Sequence, residues 1–476
     1  MAERKTSIFW FLVLLVSLLI GAFLRFYRLP ENVVFHGELG HNYLAIKNAF
    51  ESGTIPLLGP PTSHPWLSFG PLFYWLFGPI LALFNFNPVV GAYFFAFVGT
   101  ALILLNFVVI KEFFGERVAA ISSFLISFSY AWVNLTRESR FFSLSAFFFY
   151  PFLYFLLKLR LFWAGLFLGI MFNFHLSPII LLLPTAFYVY VNRKIFNKNR
   201  IFHGIVGFII PNIPFLIYNS QNRFEMLVNL ITWIPYRIAG FFGLYPKNTA
   251  TAEVLRANVV SLYDFVGNMF APNYLILSFV VLVIILSFAA IKFYQEVKKR
   301  NKNWPILILI LFFLFGYLGI FIHGDPPSHY YLPIYPLPII FFSIFMAEVA
   351  ETRIIKYLSA LVLVGFLAIN LNFYFSDKWL EGAPVPYSMQ LSATQSIISD
   401  AKGKRFVLHR VGPFDYFEGD YAQNYRYLLW WEGNEPVDNA KTQYTIYEER
   451  LPDRVLGTII YQKDGLAVLN EQNEKK

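Results

Sequence analysis

Residues 89–110 read VVGAYFFAFVGTALILLNFVVI, without a single charged side chain. At 1.5 Å per residue such a run makes a helix of about 33 Å, enough to cross a hydrocarbon core of about 30 Å. It is apolar on all sides rather than at every second position, which selects a membrane helix over a strand of an outer-membrane barrel. Residues 8–24 and 274–291 repeat the pattern on either side of it. The chain of 476 residues is 57% hydrophobic and 14% charged, against about 25% charged in ordinary soluble domains. A soluble globular enzyme is excluded. The lack of cysteine removes disulfides, thiolate metal sites and cysteine nucleophiles.

The formal charge of +9 would suggest nucleic acid in a soluble protein. Here the basic residues cluster between apolar runs and act as topology signals, so no nucleic-acid partner is expected. Clusters at Arg4/Lys5, Lys111/Arg117, Lys158/Arg160, Arg193 to Arg200, Lys298 to Lys302 and Arg353/Lys356 mark the cytoplasmic side. The first apolar run lacks a small-residue cleavage site before Arg25 and reads as a retained helix. Residues 25–88, 134–140, a turn near 175, 219–271, 324–331 and everything after 376 then lie outside. Residues 70–84 are short and carry Gly70, Pro71, Gly78 and Pro79, so they read as a juxtamembrane or re-entrant segment packed against protein. About eleven crossings of a cytoplasmic membrane remain.

After Phe375 the composition becomes that of a soluble domain. A helix is expected over residues 391–401 and strands over 405–411, 443–449 and 457–470, the last broken by a Lys463-Asp464-Gly465 hairpin signal. The expected architecture is an α-helical polytopic membrane domain, residues 1–375, followed by a small external α/β domain, residues 376–476, with a frayed tail over 473–476.

Two external segments concentrate chemistry. Residues 35–43 read FHGELGHNY, an acid between two glycines with a histidine on each side; an ordinary solvated loop acid is the alternative. His36, Glu38 and His41 leave a divalent metal open, though no cofactor is fixed by such spacing. Residues 134–140 read NLTRESR, where three charges at a helix start need partners or a wet cavity; an anchoring Arg/Glu network is the alternative.

Together the pieces RFYRL (25–29), FHGELG (35–40), IPLLGPPTS (55–63), GPLFYW (70–75), KEFFGER (111–117) and TRESR (136–140) stand in an order that resembles the dolichyl-phosphate-mannose protein mannosyltransferase-like family. The prokaryotic branch of that family is similar to the aminoarabinose lipid A transferases and shares the GT-C membrane fold. The resemblance covers roughly residues 20–190, with a weaker echo in SHYYLPIYP (328–336). It implies a glycosyltransferase that uses a polyprenyl-phosphate sugar donor and a lipid, protein or glycan acceptor. The family's essential acid in the first external loop falls on Glu38, while Leu39 stands where a second acid is often found. Its second-loop pattern falls on Arg137, Glu138, Ser139 and Arg140.

Such a transfer needs a base for the acceptor hydroxyl and positive charge for the departing phosphate. Glu38 fits the base, with Glu138 as a second catalytic carboxylate. Arg137 and Arg140 can hold phosphate oxygens, helped by His329, Tyr330, Tyr331 and Arg237. His36, His41, Asn42 and His175 are candidate substrate contacts. For Arg237 an interfacial cation anchor, and for His175 a satisfied turn residue, are the alternatives. The rival function is a secondary transporter or flippase of lipid-linked saccharides. That class places ionisable groups near the midplane of repeat-related broken helices, whereas here the charges collect outside.

Overall fold

The computed structural model describes residues 2–244, 249–324, 326–350, 353–376, 385–415, 421–448 and 457–472. It is mostly helical. The chain opens with α1 (Ala2–Phe26), α2 (Gly37–Ser52), α3 (Leu72–Leu83), α4 (Val90–Phe114), α5 (Glu116–Phe128), α6 (Tyr130–Leu135), α7 (Leu144–Leu157), α8 (Leu161–Phe174), α9 (Leu182–Val191), α10 (Lys198–Ile209) and α11 (Ile213–Gln221). It continues through α12 (Glu225–Phe241), α13 (Ala252–Phe270), α14 (Leu275–Lys298), α15 (Trp304–Phe321), α16 (Leu337–Val349) and α17 (Arg353–Phe375). Among the described residues six helices are long and apolar enough to cross a membrane, or seven with the bent pair Ser328–Ile334 and Leu337–Val349. The other expected crossings fall on shorter helices, among them α7, α8 and α9.

Buried aliphatic and aromatic side chains from α4, α5, α7, α15 and α16 form the main core. Asn106 of α4 donates to Ser122 and Ser123 of α5 at 2.8 and 2.9 Å, an interhelical polar lock of the kind lipid-embedded helices use. The segment expected to lie against protein is α3. Its 12 residues span about 18 Å, and Phe73, Phe77 and Leu81 have no exposed surface.

Two segments read as loops are helical. Residues 37–52 form α2, whose buried Leu39, Tyr43 and Ile46 recur at helical spacing. The stretch 219–271, expected to be external, contains α12 and α13, both amphipathic. In the C-terminal part, α18 (Tyr387–Ala401), β1 (Phe406–Val411), α19 (Gln423–Trp431), β2 (Thr442–Glu448), β3 (Thr458–Lys463) and β4 (Leu466–Gln472) build a sheet of order β1-β2-β4-β3. β1 and β2 are parallel, joined through α19, and the remaining pairings are antiparallel. The β3–β4 turn has Asp464 at φ 42° and Gly465 at φ 84°, the two positive values a type I′ hairpin demands. α19 was not foreseen in the sequence. Glu449 and residues 473–476 lie outside the described residues.

The sheet's helices dock on the membrane part through a shared core. Tyr427 has no exposed surface and packs its ring 5.3 Å from Tyr43 and 5.8 Å from Phe35. Its hydroxyl donates to the Phe86 carbonyl at 2.6 Å, and Trp431 Nε1 donates to the Asn85 carbonyl at 3.2 Å. Lys47 pairs with Glu435 at 2.9 Å. Burying one such ring contributes about 1.5–3 kcal/mol, and the ion pair adds to it with a buried Lys47 and a half-exposed Glu435.

Candidate active site

Glu38 sits in the first turn of α2, where an acid is favoured by the positive end of the helix dipole. The two glycines around it have a steric cause. A Cβ on Gly37 would come within 2.6 Å of the Tyr421 ring, and one on Gly40 within 2.3 Å of the Asn424 backbone nitrogen. The C-terminal part therefore lies directly on the start of α2. The Glu38 N–H donates to Tyr421 Oη at 2.8 Å, Gln390 Nε2 donates to the Phe35 carbonyl at 2.8 Å, and Asn424 Nδ2 donates to Gln390 Oε1 at 2.8 Å.

Between these elements is a cavity of about 380 Å³ whose wall includes His36, Glu38, Arg140, Arg410, Tyr421 and Glu448. Arg410 reaches Asp415 at 2.5 Å and pairs with Glu448, which also accepts from the Tyr425 hydroxyl at 2.6 Å. Burial, and then the nearby Arg140 charge, pull His36 down from the usual 6.5 to about 4. His36 is thus uncharged at neutral pH.

A larger cavity of about 850 Å³ lies on the other side of Arg140, with Asn134, Glu138, Arg140, Arg256, Asp264 and His329 in its wall. Glu138 is buried, accepts from Asn134 Nδ2 at 3.1 Å and ion-pairs with Arg140 Nε. The Arg140 guanidinium lies 5.9 Å from the Phe142 ring, which stacks on His329 at 4.9 Å. From α13 come Glu253, Arg256, Ala257, Val260, Ser261, Asp264, Phe265 and Asn268, one face of the helix at i, i+3, i+4, i+7 spacing. Burial raises the Asp264 carboxyl above its ordinary value. Arg140 lines both cavities.

Of the residues anticipated from sequence, Glu38, His36 and Arg140 share the smaller cavity, and Glu138, Arg140 and His329 the larger. The others do not join them. Arg137 points back to α1: its Nη1 donates to the carbonyls of Leu24, Arg25 and Tyr27 at 2.8, 3.1 and 2.9 Å. These are carbonyls at the helix C-terminus, which lack intrahelical donors, so Nη1 of Arg137 caps α1. Arg237 Nη2 donates to the His323 carbonyl at 2.8 Å, tying α12 to the loop after α15. Tyr331 is buried with its ring stacked 4.6 Å from Phe265.

Tyr330 and the buried His175 form a ring cluster behind His329, at 5.0 and 5.2 Å from it. His175 Nδ1 is occupied by Ser177 at 2.8 Å. Asn42 accepts from the Tyr74 hydroxyl at 2.9 Å and locks α2 to α3. His41 faces a separate cleft with Gln423, Arg426 and Glu435. His36, Glu38 and His41 therefore do not converge on one ion, and among the described residues no group of three or more His, Asp or Glu is placed to hold a metal.

Sequence reasoning missed the wall residues of α13 and those of the C-terminal part. For α13 a signal exists in the helical spacing of Glu253, Arg256, Ser261, Asp264 and Asn268. For Gln390, Arg410, Tyr421 and Glu448 there is none, because only the tertiary approach of the sheet brings them to Glu38.

The family described as Dolichyl-phosphate-mannose-protein mannosyltransferase matches the chain over residues 63–218. ArnT from Cupriavidus metallidurans, solved with bound undecaprenyl phosphate, is 12% identical and superposes with a TM-score of 0.63, covering 98% of each chain. The oligosaccharyltransferase of Archaeoglobus fulgidus in its apo form is 14% identical with a TM-score of 0.58, over 87% of this chain and 64% of that one. The same organism's AglB, solved with an inhibitory peptide and a dolichol-phosphate, is 15% identical with a TM-score of 0.52, over 82% and 58% of the two chains. No curated protein matches significantly. The polytopic architecture with a small C-terminal sheet, expected from the sequence, is thus a GT-C fold of the mannosyltransferase and ArnT type.

Proposed function

We propose that this GT-C chain is a membrane glycosyltransferase that moves a sugar from a polyprenyl-phosphate donor to a lipid, protein or glycan acceptor on the external face of the cytoplasmic membrane. The observation that carries the reading is Arg140. It stands in the wall of the Glu38 cavity and of the larger cavity at once, so a base and a cationic phosphate site meet across one side chain. Similarity to ArnT solved with undecaprenyl phosphate and to AglB solved with dolichol-phosphate supports the donor class.

In this reading the donor phosphate occupies the larger cavity, where Arg140 and Arg256 bind its oxygens and Glu138 orients Arg140. The acceptor enters over Glu38. Its hydroxyl gives its proton to the Glu38 carboxylate while its oxygen bonds to the anomeric carbon. The carbon–oxygen bond to phosphate breaks, and the electron pair leaves with the lipid phosphate, whose charge the two arginines stabilise. One displacement inverts the anomeric centre. Residues 1–375 supply the transferase body, and the external domain 376–476 roofs the Glu38 cavity with Arg410, Tyr421 and Glu448.

Mass spectrometry of surface lipids, glycans and proteins from cells with and without the gene tests the reading. A sugar missing from one envelope component is the expected result. Intact glycans with altered uptake alone would replace it with a transporter.

A further inference from the structure

A further cleft, of about 710 Å³, is lined by Trp66, Asn229, Thr232, Trp233 and Tyr236. The last four lie on one face of α12, at helical spacing. Trp66 comes from a different part of the chain, a turn closed by the isolated bridge between Pro61 and Ser68 and by the Thr62 N–H to Leu67 carbonyl bond of 3.0 Å. Both indoles are fixed from behind. His64 stacks on Trp66 at 5.6 Å with 20° between the planes and meets Trp233 edge-on at 5.5 Å. The Arg237 guanidinium lies 5.4 Å from the Trp233 ring centre while its Nη2 is held by the His323 carbonyl at 2.8 Å.

This cleft neighbours the larger cavity. His323 packs its ring 4.7 Å from Tyr330, which lies 5.0 Å from His329, and His329 is in the cavity wall.

We propose that the cleft is a saccharide subsite, binding a pyranose ring of the acceptor some distance from the hydroxyl that reacts, an inference that rests on the glycosyl-transfer reading above. A pyranose presents a face of C–H groups and an edge of hydroxyls. The first lies on an aromatic face, and the second needs donors and acceptors beside it. Trp66, Trp233 and Tyr236 supply the faces, and the Asn229 amide and Thr232 hydroxyl supply the edge. Concave, largely apolar walls with a few placed polar groups are the usual form of a small-ligand site, at about 300–1,000 Å³. An aromatic belt at a membrane surface accounts for single rings facing lipid headgroups. It does not account for two indoles from separate segments, each backed by a cationic or imidazole side chain, closing on one hollow with an amide and a hydroxyl. An acyl or isoprenoid chain would leave the Asn229 amide without a partner, whereas the Thr232 hydroxyl, which donates to the Val228 carbonyl at 2.9 Å, can still accept from a sugar hydroxyl.

The test uses the full-length protein in nanodiscs and two probes. Saturation-transfer NMR with maltotetraose and cellotetraose reads the cleft, free in solution and again as the headgroup of a glycolipid in the disc. Binding of undecaprenyl phosphate reads the larger cavity. Wild type is expected to bind at least one tetrasaccharide. Trp66→Ala and Trp233→Ala should weaken that binding about tenfold or more, Trp233→Phe should recover most of it, and undecaprenyl phosphate should bind all variants alike. Preference for the glycolipid form would assign the subsite to a lipid-borne acceptor, and equal binding of both to a free or protein-borne glycan. No binding of either saccharide by wild type, or unchanged binding by the Trp66→Ala/Trp233→Ala double variant, overturns the subsite. Transfer activity is scored separately: a protein that binds saccharide in the cleft yet turns over no lipid-linked sugar would refute the transferase reading and leave the subsite standing.

Discussion

The backbone N–H of Glu38 donates to the phenolic oxygen of Tyr421 at 2.8 Å, joining the first turn of a juxtamembrane helix to a residue of the C-terminal part. The proposed base is thereby held by a segment that composition alone would assign to a separate domain. Tyr421→Phe removes this hydrogen bond, worth about 1 kcal/mol, whereas Glu38→Gln removes the proton acceptor. Transfer should fall several-fold in the first variant and about 10²-fold or more in the second, with donor binding retained in both. Single-turnover transfer with purified protein makes the comparison; a normal rate for Glu38→Gln would transfer the role of base to another group.

Arg137 and Arg256 should separate stability from donor binding. Arg137→Ala strips three carbonyls at the end of α1 of their charged donor and is expected to lower the thermal midpoint, since such bonds contribute about 1.5–3 kcal/mol each. Arg256→Ala alters the wall of the larger cavity and should weaken undecaprenyl-phosphate binding tenfold or more at an unchanged midpoint. The reverse pattern would return Arg137 to the phosphate site.

Gly40→Ala places a methyl group 2.3 Å from the Asn424 backbone nitrogen. Backbone cannot swing aside as a side chain can, so α19 must lift from α2. Limited proteolysis should cut between residues 376 and 476 faster than in wild type, and transfer should fall with it. Unaltered proteolysis would mean that the two helices lie farther apart.

Acid should destabilise the protein through its histidines. His36 is lowered to about 4 and His175 well below 6.5, burial being the main cause in each. An unfolded chain takes up these protons near 6.5 while the folded one refuses them, so stability present above that pH is lost as it falls, for His36 over the window from 6.5 to about 4. Thermal unfolding of His36→Gln should show a shallower loss across that window. A slope equal to wild type would mean that His36 titrates normally.

Sidedness is open to chemical labelling. The chain lacks cysteine, so Ser388→Cys at the exposed start of α18 gives a single reactive thiol. An impermeant maleimide should label it in intact cells. Labelling only after permeabilisation would put the C-terminal domain in the cytoplasm.

The membrane helices were legible because a run apolar on all sides needs no knowledge of its neighbours to be read. So was the Asp464-Gly465 turn, where local backbone demand fixes the residue types. α2 was hidden: Gly37 and Gly40 look like loop residues until the Tyr421 ring and the start of α19 are seen lying on them. The charged motif of residues 137–140 was recognised as a unit, yet its two arginines have different work. Arg137 faces the open end of α1 and Arg140 the cavities, a division that depends on where the chain turns between them. The C-terminal wall was invisible, since no local pattern in residues 390–448 encodes the approach of Arg410, Tyr421 and Glu448 to a helix more than three hundred residues earlier.

Arg140 has one guanidinium and two cavities to serve. An anion seated in the larger cavity draws that charge and changes the potential felt at Glu38, and a group bound over Glu38 changes the charge available to the anion. The two affinities are therefore thermodynamically linked, and the linkage is reciprocal: whatever factor the first ligand imposes on the second, the second imposes on the first.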